Sequence, residues 1–238
     1  MKLWKRILCF SLLVPTIGFA AEAEIKKALG IAIPGLAFNS IEMSEIDGLY
    51  RIETSSGETL FITGDGSFFV TGDLYSTDKG RLQNLTEVRR GSLRAEQISA
   101  VSANEKITFP AKGEAKAKVA VFTDIDCGYC RKLHKEVPAL NEMGIEVSYL
   151  AYPRAGIGSD SYEKFVSAWC SDDKQGAMTL AKNGKSIPAK TCKNPVANQF
   201  KLGQEMGVTG TPAIVLEDGR LIPGYLTADK LAKALGVF

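Results

Sequence analysis

The chain has 238 residues, 45% of them hydrophobic and 24% charged, which is enough apolar material for one or two ordinary cores and too much for a disordered chain. Its formal charge of +2 overstates any basic character. Three of the 29 basic residues (Lys2, Lys5, Arg6) sit in a leader-like stretch, and the 26 that remain face 27 acids, so electrostatics offers no case for nucleic acid or an anionic membrane as partner.

Residues 1–20 follow the grammar of a secretory signal peptide. Lys2, Lys5 and Arg6 precede an apolar stretch from Ile7 to Phe19, interrupted by Pro15. Gly18 and Ala20 allow cleavage after Ala20, with Ala21-Glu22-Ala23 as a second choice. The apolar run falls short of the roughly 20 residues that a membrane span needs. Cys9 lies inside this leader and lacks the small-residue context of a lipid-modified cysteine. The exported chain then carries four cysteines, Cys127, Cys130, Cys170 and Cys192. An even count in an exported protein points to disulfides formed in an oxidising compartment. Spacing makes Cys127–Cys130 one candidate pair and leaves Cys170 with Cys192.

After the leader, Glu24 to Leu29 reads as a short amphipathic helix that Gly30 can end. The pattern then changes to strands and turns. Ile41 to Ile46 and Leu49 to Thr54 alternate, Ser55-Ser-Gly57-Glu58 marks a turn, and Thr59 to Thr63 is a further strand. Gly64-Asp-Gly66-Ser67 forms a tight loop into Phe68-Phe-Val70. This antiparallel module carries no Cys or His and no motif with chemistry of its own. So small a sheet rarely completes a core alone, which makes it either an appendage or a self-association domain. Leu85, Val88, Leu93, Ile98 and Val101 space out a narrow-faced helix, with Gly91 as a possible break. That face suits a linker between domains, the alternative being a peripheral helix of the second domain.

From Ala117 strands and helices alternate. The β-branched run Val119 to Phe122 leads through Asp124-Ile125-Asp126 into Cys127-Gly-Tyr-Cys130, after which Leu133, Val137 and Leu140 recur at helical spacing, with Pro138 expected to kink or interrupt the helix. Ile145 to Leu150 is a strand, and helical patterns cover Tyr162 to Cys170, on through Ala181, and Pro195 to Met206. Ala213 to Leu216 and Leu221-Ile222 form a hairpin about Glu217-Asp218-Gly219-Arg220, and Ala228 to Leu235 closes the chain as a helix. The order fits a mixed sheet with helices on both faces.

A Cys-x-x-Cys between a strand and a helix is the sequence form of a thioredoxin-like redox site. Cys127 is placed at the helix N-terminus, where unpaired N–H groups and the helix dipole favour a thiolate. A nucleophilic role demands exposure and a lowered pKa. Cys130, one turn on, is the resolving partner. Asp124 and Asp126 oppose the thiolate, and Arg131 supports it if its head group turns back. His134 shares the face of both cysteines and either modulates them or is a partly exposed residue with no essential role. A metal is not expected, since a structural zinc needs four ligands and no second Cys-x-x-Cys accompanies the single histidine. A plain structural disulfide is the other alternative for Cys127–Cys130. Thr211-Pro212 fits a cis peptide at the start of a strand, although trans is the favoured state of an X–Pro bond in general. Cys170 and Cys192, if paired, close a loop that stabilises the fold by ~3 kcal/mol in chain-entropy terms. A second redox-active pair is the alternative reading.

Phe122 to His134, Tyr149-Leu-Ala-Tyr-Pro-Arg154, Ala168-Trp-Cys170, Gly207-Val-Thr-Gly-Thr-Pro-Ala213 and Leu221-Ile-Pro-Gly-Tyr225 together resemble the DsbC/DsbG family of periplasmic disulfide isomerases in the thioredoxin superfamily. The resemblance implies an α+β cystatin-like N-terminal dimerisation domain (21–84), a helical linker (85–106) and an α/β thioredoxin-fold catalytic domain with a helical insertion (107–238). It also implies a V-shaped homodimer with chaperone activity, misfolded disulfide-containing periplasmic proteins as substrates, the membrane reductase DsbD as partner and no cofactor. By the same match Cys127 attacks wrong disulfides, Cys130 resolves, Thr211-Pro212 is a cis-proline loop beside them and Cys170–Cys192 is structural. A thiol oxidase, a sulfenic-acid reductase or a thiol-independent holdase is the rival function. Two positions depart from the family pattern, Asp126 where Thr is usual and Arg131 where His is common. Gly128 and the Cys170–Cys192 pair favour the DsbC over the DsbG branch.

Overall fold

The computed structural model describes residues 17–237, so residues 1–16 of the expected leader, Cys9 included, lie outside the described residues. The chain divides into two compact units at Gly72/Asp73. Among the described residues no helix is long and apolar enough to cross a membrane.

The first unit is one helix on a four-stranded antiparallel meander. Helix α1 (Ile17–Ala32) buries Ile25 and Leu29, one turn apart, against the sheet. It runs past Gly30 and stops where Pro34 disfavours a helical Ile33. The strands are β1 (Phe38–Met43), β2 (Leu49–Thr54), β3 (Thr59–Thr63) and β4 (Phe69–Thr71), paired in that order. Strand β1 ends earlier than its alternation suggests, because the Ser44 hydroxyl bonds the backbone of Ile46 and bends the chain into a turn. Tyr50, Ile52, Leu60 and Ile62 project from β2 and β3 to close the core under α1. Gly66, at φ +73, carries the β3–β4 turn so close to α1 that a Cβ there would stand 2.6 Å from that of Ala28.

The second unit begins with a short ribbon, β5 (Tyr75–Ser76) and β6 (Gln83–Asn84), and helix α2 (Leu85–Ala100), whose first turn is capped by the Asn84 side chain accepting from Glu87 N–H at 2.8 Å. Strands β7 (Ile107–Phe109) and β8 (Ala117–Thr123), helix α3 (Gly128–Glu142) and strand β9 (Ile145–Ala151) follow. The helical insertion comprises α4 (Asp160–Trp169), α5 (Lys174–Lys182) and α6 (Val196–Glu205), and the unit ends with β10 (Ala213–Leu216), β11 (Leu221–Pro223) and α7 (Ala228–Leu235). The sheet order is β11-β10-β8-β9-β7, parallel at β8–β9 across the α3 crossover and antiparallel elsewhere. Both faces are covered, which explains the unbroken apolar run of β8. Val119 and Val121 pack toward Leu133, Val137, Leu140 and Leu231, whereas Ala120 and Phe122 pack toward Tyr152, Met206 and Val208. Pro138 lies within α3 without ending it.

The structure differs from the expected boundary at residue 84 and linker over 85–106, because α2 belongs to the second unit, the alternative that its narrow face also allows. Ile98 and Val101 pack on the Phe122 cluster. Arg94, buried, donates to Met206 O at 3.3 Å and Gly219 O at 2.9 Å, and pairs with both Glu87 oxygens. Gly91 does not break the helix, because it faces the Asp218–Gly219 turn, where its lack of a side chain permits close approach.

Candidate active site

Strand β8 delivers the site. Its last residue, Thr123, is buried, and the chain then turns through Asp124–Asp126 so that Cys127 is the N-cap of α3. Asp124 sets this turn. Its carboxylate accepts from Asp126 N–H at 2.9 Å, from the Ser161 hydroxyl at 2.5 Å, and from Arg154 backbone N–H and Nε at 2.9 and 3.0 Å. Burial works to raise the pKa of this carboxyl, but those donors, Ser161 first, outweigh it and hold the group ionised. Asp124 thus ties the loop to α4 and to the segment after β9. Its charge is satisfied there and is not left facing the sulfurs.

The Cys127 thiol donates to the Thr211 carbonyl at 3.2 Å, across a Thr211–Pro212 peptide that is cis. Both cysteines are free thiols and both are buried, at 3% exposure for Cys127 and 1% for Cys130. The exposure expected of the nucleophile is therefore small, since the Thr211 loop covers that side of the sulfur. Burial pushes the Cys127 thiol up, yet the Cys130 N–H and the Thr211 hydroxyl, with further help from the Cys130 thiol and Tyr129 N–H, more than reverse it, and its pKa is lowered. The Thr211 hydroxyl is buried and has no hydrogen-bond partner among the described groups, so it remains available to a thiolate. Cys130, deeper, is driven upward by burial. Its Sγ accepts from Asp124 N–H at 3.4 Å. One thiol is thus primed and its neighbour held protonated.

Asp126 and Arg131, the two charged departures, pair with each other at 3.2 Å, and Lys164 holds both Asp126 oxygens at 2.9 and 2.8 Å. Arg131 Nε also donates to Ile125 O at 3.0 Å, so its head group does turn back, toward the carboxylate and not toward the sulfur. Tyr129 is 60% exposed and stacks on Tyr225. His134 is buried, so of its two readings the partly exposed one is overturned. It bonds Tyr149 Oη at 3.0 Å and Thr179 Oγ1 at 3.1 Å, and burial, with Lys182 nearby, brings its pKa down to about 4, leaving it neutral.

Cys170 and Cys192 are joined by a disulfide between the end of α4 and the segment before α6, 22 positions apart. That bond removes both from any metal set, and among the described residues no group of three or more His, Cys, Asp or Glu is arranged to hold a metal ion. Sequence reasoning missed Ser161 and Arg154, which hold Asp124, and the buried Lys182 beneath the site. Lys182 follows Met178 by four positions and so shares its buried face, a signal outweighed by the rarity of buried lysine in general.

Comparison with known proteins covers both units. Residues 105–237 match the family described as "Thioredoxin-like domain", and residues 17–87 match "Disulfide bond isomerase protein N-terminal domain". Thiol:disulfide interchange protein DsbC of Escherichia coli K12 is 36% identical over 221 residues, spanning 93% of this chain and 91% of that one. The DsbC of Dickeya dadantii is 38% identical over 224 residues, with 93% and 90% covered. Among solved structures, a disulfide interchange protein from Neisseria gonorrhoeae superposes with a TM-score of 0.51 at 30% identity, covering 57% of this chain and 96% of its own.

Proposed function

The chain belongs to the DsbC family of thiol:disulfide interchange proteins, disulfide isomerases with a thioredoxin-like domain, and on that premise we propose that it rearranges non-native disulfides through the Cys127-Gly-Tyr-Cys130 dithiol. The carrying observation is the opposite bias of the two sulfurs, with Cys127 at the start of α3 lowered and Cys130 raised. A Cys127 thiolate attacks one sulfur of a wrong disulfide, forms a mixed disulfide and releases the other substrate sulfur as a thiolate. Exchange within the substrate passes the thiolate to another substrate cysteine, which attacks the substrate sulfur of the mixed disulfide, closing a new substrate disulfide and expelling Cys127 as the thiolate, a rearrangement with no net electron transfer. When rearrangement stalls, Cys130 attacks Cys127, and the substrate leaves reduced by two electrons. The Thr211–Pro212 loop lies over Cys127 as the surface against which the substrate backbone aligns.

An isomerase must start from the dithiol, so a membrane reductase of the DsbD type is the partner that restores it. Export by the 1–20 leader places the work in the periplasm, and the substrates are misfolded disulfide-containing proteins there. The exposed Phe68, Phe69 and Val70 at the free edge of β4 support a homodimer joined through the first unit. A cleft between paired protomers also suits chaperone activity.

Refolding of scrambled ribonuclease by the wild type, Cys127→Ser and Cys130→Ser proteins tests the assignment. Loss of Cys127 is expected to abolish isomerisation, and loss of Cys130 to accumulate substrate trapped on Cys127. Isomerisation surviving in Cys127→Ser would overturn the proposal, and aggregation suppressed by that variant would mark a separate chaperone function.

A further inference from the structure

The dithiol chemistry makes no use of Lys182, in the last turn of α5, although it is 1% exposed. Its Nζ donates to Thr123 Oγ1 at 2.5 Å and to the Asp124 carbonyl at 2.8 Å, and stands 5.6 Å from the centre of the Tyr149 ring. Both acceptors are neutral. Burying an ammonium among neutral partners is costly, and burial brings its pKa from 10.5 to about 8. A lysine kept at that cost invites a functional reason.

The geometry supplies one. Asp124, whose carbonyl receives Lys182, offers its N–H to Cys130 Sγ. Thr123, which accepts from Lys182, is the last residue of β8, and its hydroxyl acts in the same direction as Lys182 on the Cys130 thiol. The Asp124 backbone therefore joins the amine to the buried thiol, with the Thr123 hydroxyl holding the amine from the other side.

We propose that Lys182 is a positioning residue for the resolving step, its ammonium held by Thr123 and Asp124 so that it stabilises Cys130 as the thiolate that attacks Cys127. The inference rests on the assignment of Cys127 as nucleophile and Cys130 as resolving thiol. In that step the Cys130–Cys127 bond forms and the bond from Cys127 to the substrate sulfur breaks. The enzyme dithiol is oxidised by two electrons and the substrate disulfide reduced, and the proton given up by Cys130 ends on the departing substrate sulfur.

Of the other groups around the pair, the cation Arg154 also senses both sulfurs, but it is half exposed and its charge is paired with Asp124. Asp124 is committed to Arg154 and Ser161. Arg131 is turned to Asp126 and Ile125 O. His134 is neutral, and burial pushes the Tyr149 phenol up, so it is neutral as well. Cys127 is joined to substrate at this stage and carries no charge. Against the burial that raises the Cys130 thiol, Lys182 is the leading opposing influence, followed by the Asp124 N–H and the Thr123 and Thr211 hydroxyls.

The reaction of the reduced full-length protein with the chromogenic disulfide DTNB separates the two half-reactions. The first thionitrobenzoate released reports attack by Cys127, and the second reports resolution by Cys130. Lys182→Met keeps the aliphatic stem and removes the charge. It is expected to move the pH midpoint of the second release upward by about one unit, slowing it roughly tenfold at neutral pH, while the first release changes less than about twofold. Thr123→Val, of nearly the same shape, is expected to move the same midpoint in the same direction, and it carries the test should the Met variant not fold. A second release with unchanged midpoint, or a first release slowed as much as the second, would overturn the role of Lys182. Mapping of the mixed disulfide to Cys130 in the wild type would instead overturn the sulfur assignment beneath it.

Discussion

Cys127 and Cys130 are one helical turn apart, yet their thiols are driven in opposite directions because one meets the N–H groups at the start of α3 and the other the apolar interior. The charges beside them matter less than their proximity in sequence suggests. Asp126 is shared between Arg131 and Lys164, so its repulsion of a Cys127 thiolate is already offset by two cations. Asp126→Thr frees both cations and is expected to lower the Cys127 pKa by a few tenths of a unit, a small effect because these groups are part-exposed and screened. Ultraviolet titration of the thiolate in Cys130→Ser backgrounds checks it, and a midpoint that rises would contradict the account. The cysteine pair and the opposing charges were legible in the sequence. Lys182, Ser161 and Arg154 were not, because they reach the site from α5, α4 and the segment after β9, and nothing local to those residues announces which strand end they will face.

Among the elements, α2 gains its place from the hairpin that follows β10. Gly219 turns that hairpin at φ +76, and a Cβ on it would stand 1.7 Å from Gly91 O, inside the backbone of α2. Gly219→Ala is therefore expected to destabilise the protein by at least about 2 kcal/mol, through both the left-handed backbone and the backbone clash. Chemical denaturation reads this directly; a change below about 0.5 kcal/mol would mean that α2 does not depend on this contact. Amphipathic spacing disclosed that α2 is a helix but not what it packs on. A narrow apolar face fits a linker and a docked helix equally well, and Arg94, which decides between them by bonding Met206 O and Gly219 O, reads in sequence as one more solvent-facing charge.

At the scale of the whole molecule, the first unit leaves Phe68, Phe69 and Val70 exposed along a strand paired on one side only. A lone protein rarely keeps such an edge unprotected, and in the proposed homodimer pairing with a second copy would cover it. Val70→Asp in the full-length protein places a charge on that edge and is expected to convert dimer to monomer in sedimentation, with isomerase activity falling and simple reductase activity kept. A variant that stays dimeric would show that the copies join elsewhere.

Local chemistry determined much of this protein before any folding was considered. The strand–Cys-x-x-Cys–helix junction, the meander of the first unit and the alternating order of the second depend on periodicity and turn residues a few positions apart. Tertiary structure alone decided the rest. It set which carboxylate is satisfied, where α2 docks, that His134 is buried, and that a lysine from the helical insertion lies under the dithiol. Those outcomes depend on residues far apart in the chain meeting in a low-dielectric interior, where the partner a charge finds determines both its pKa and its use.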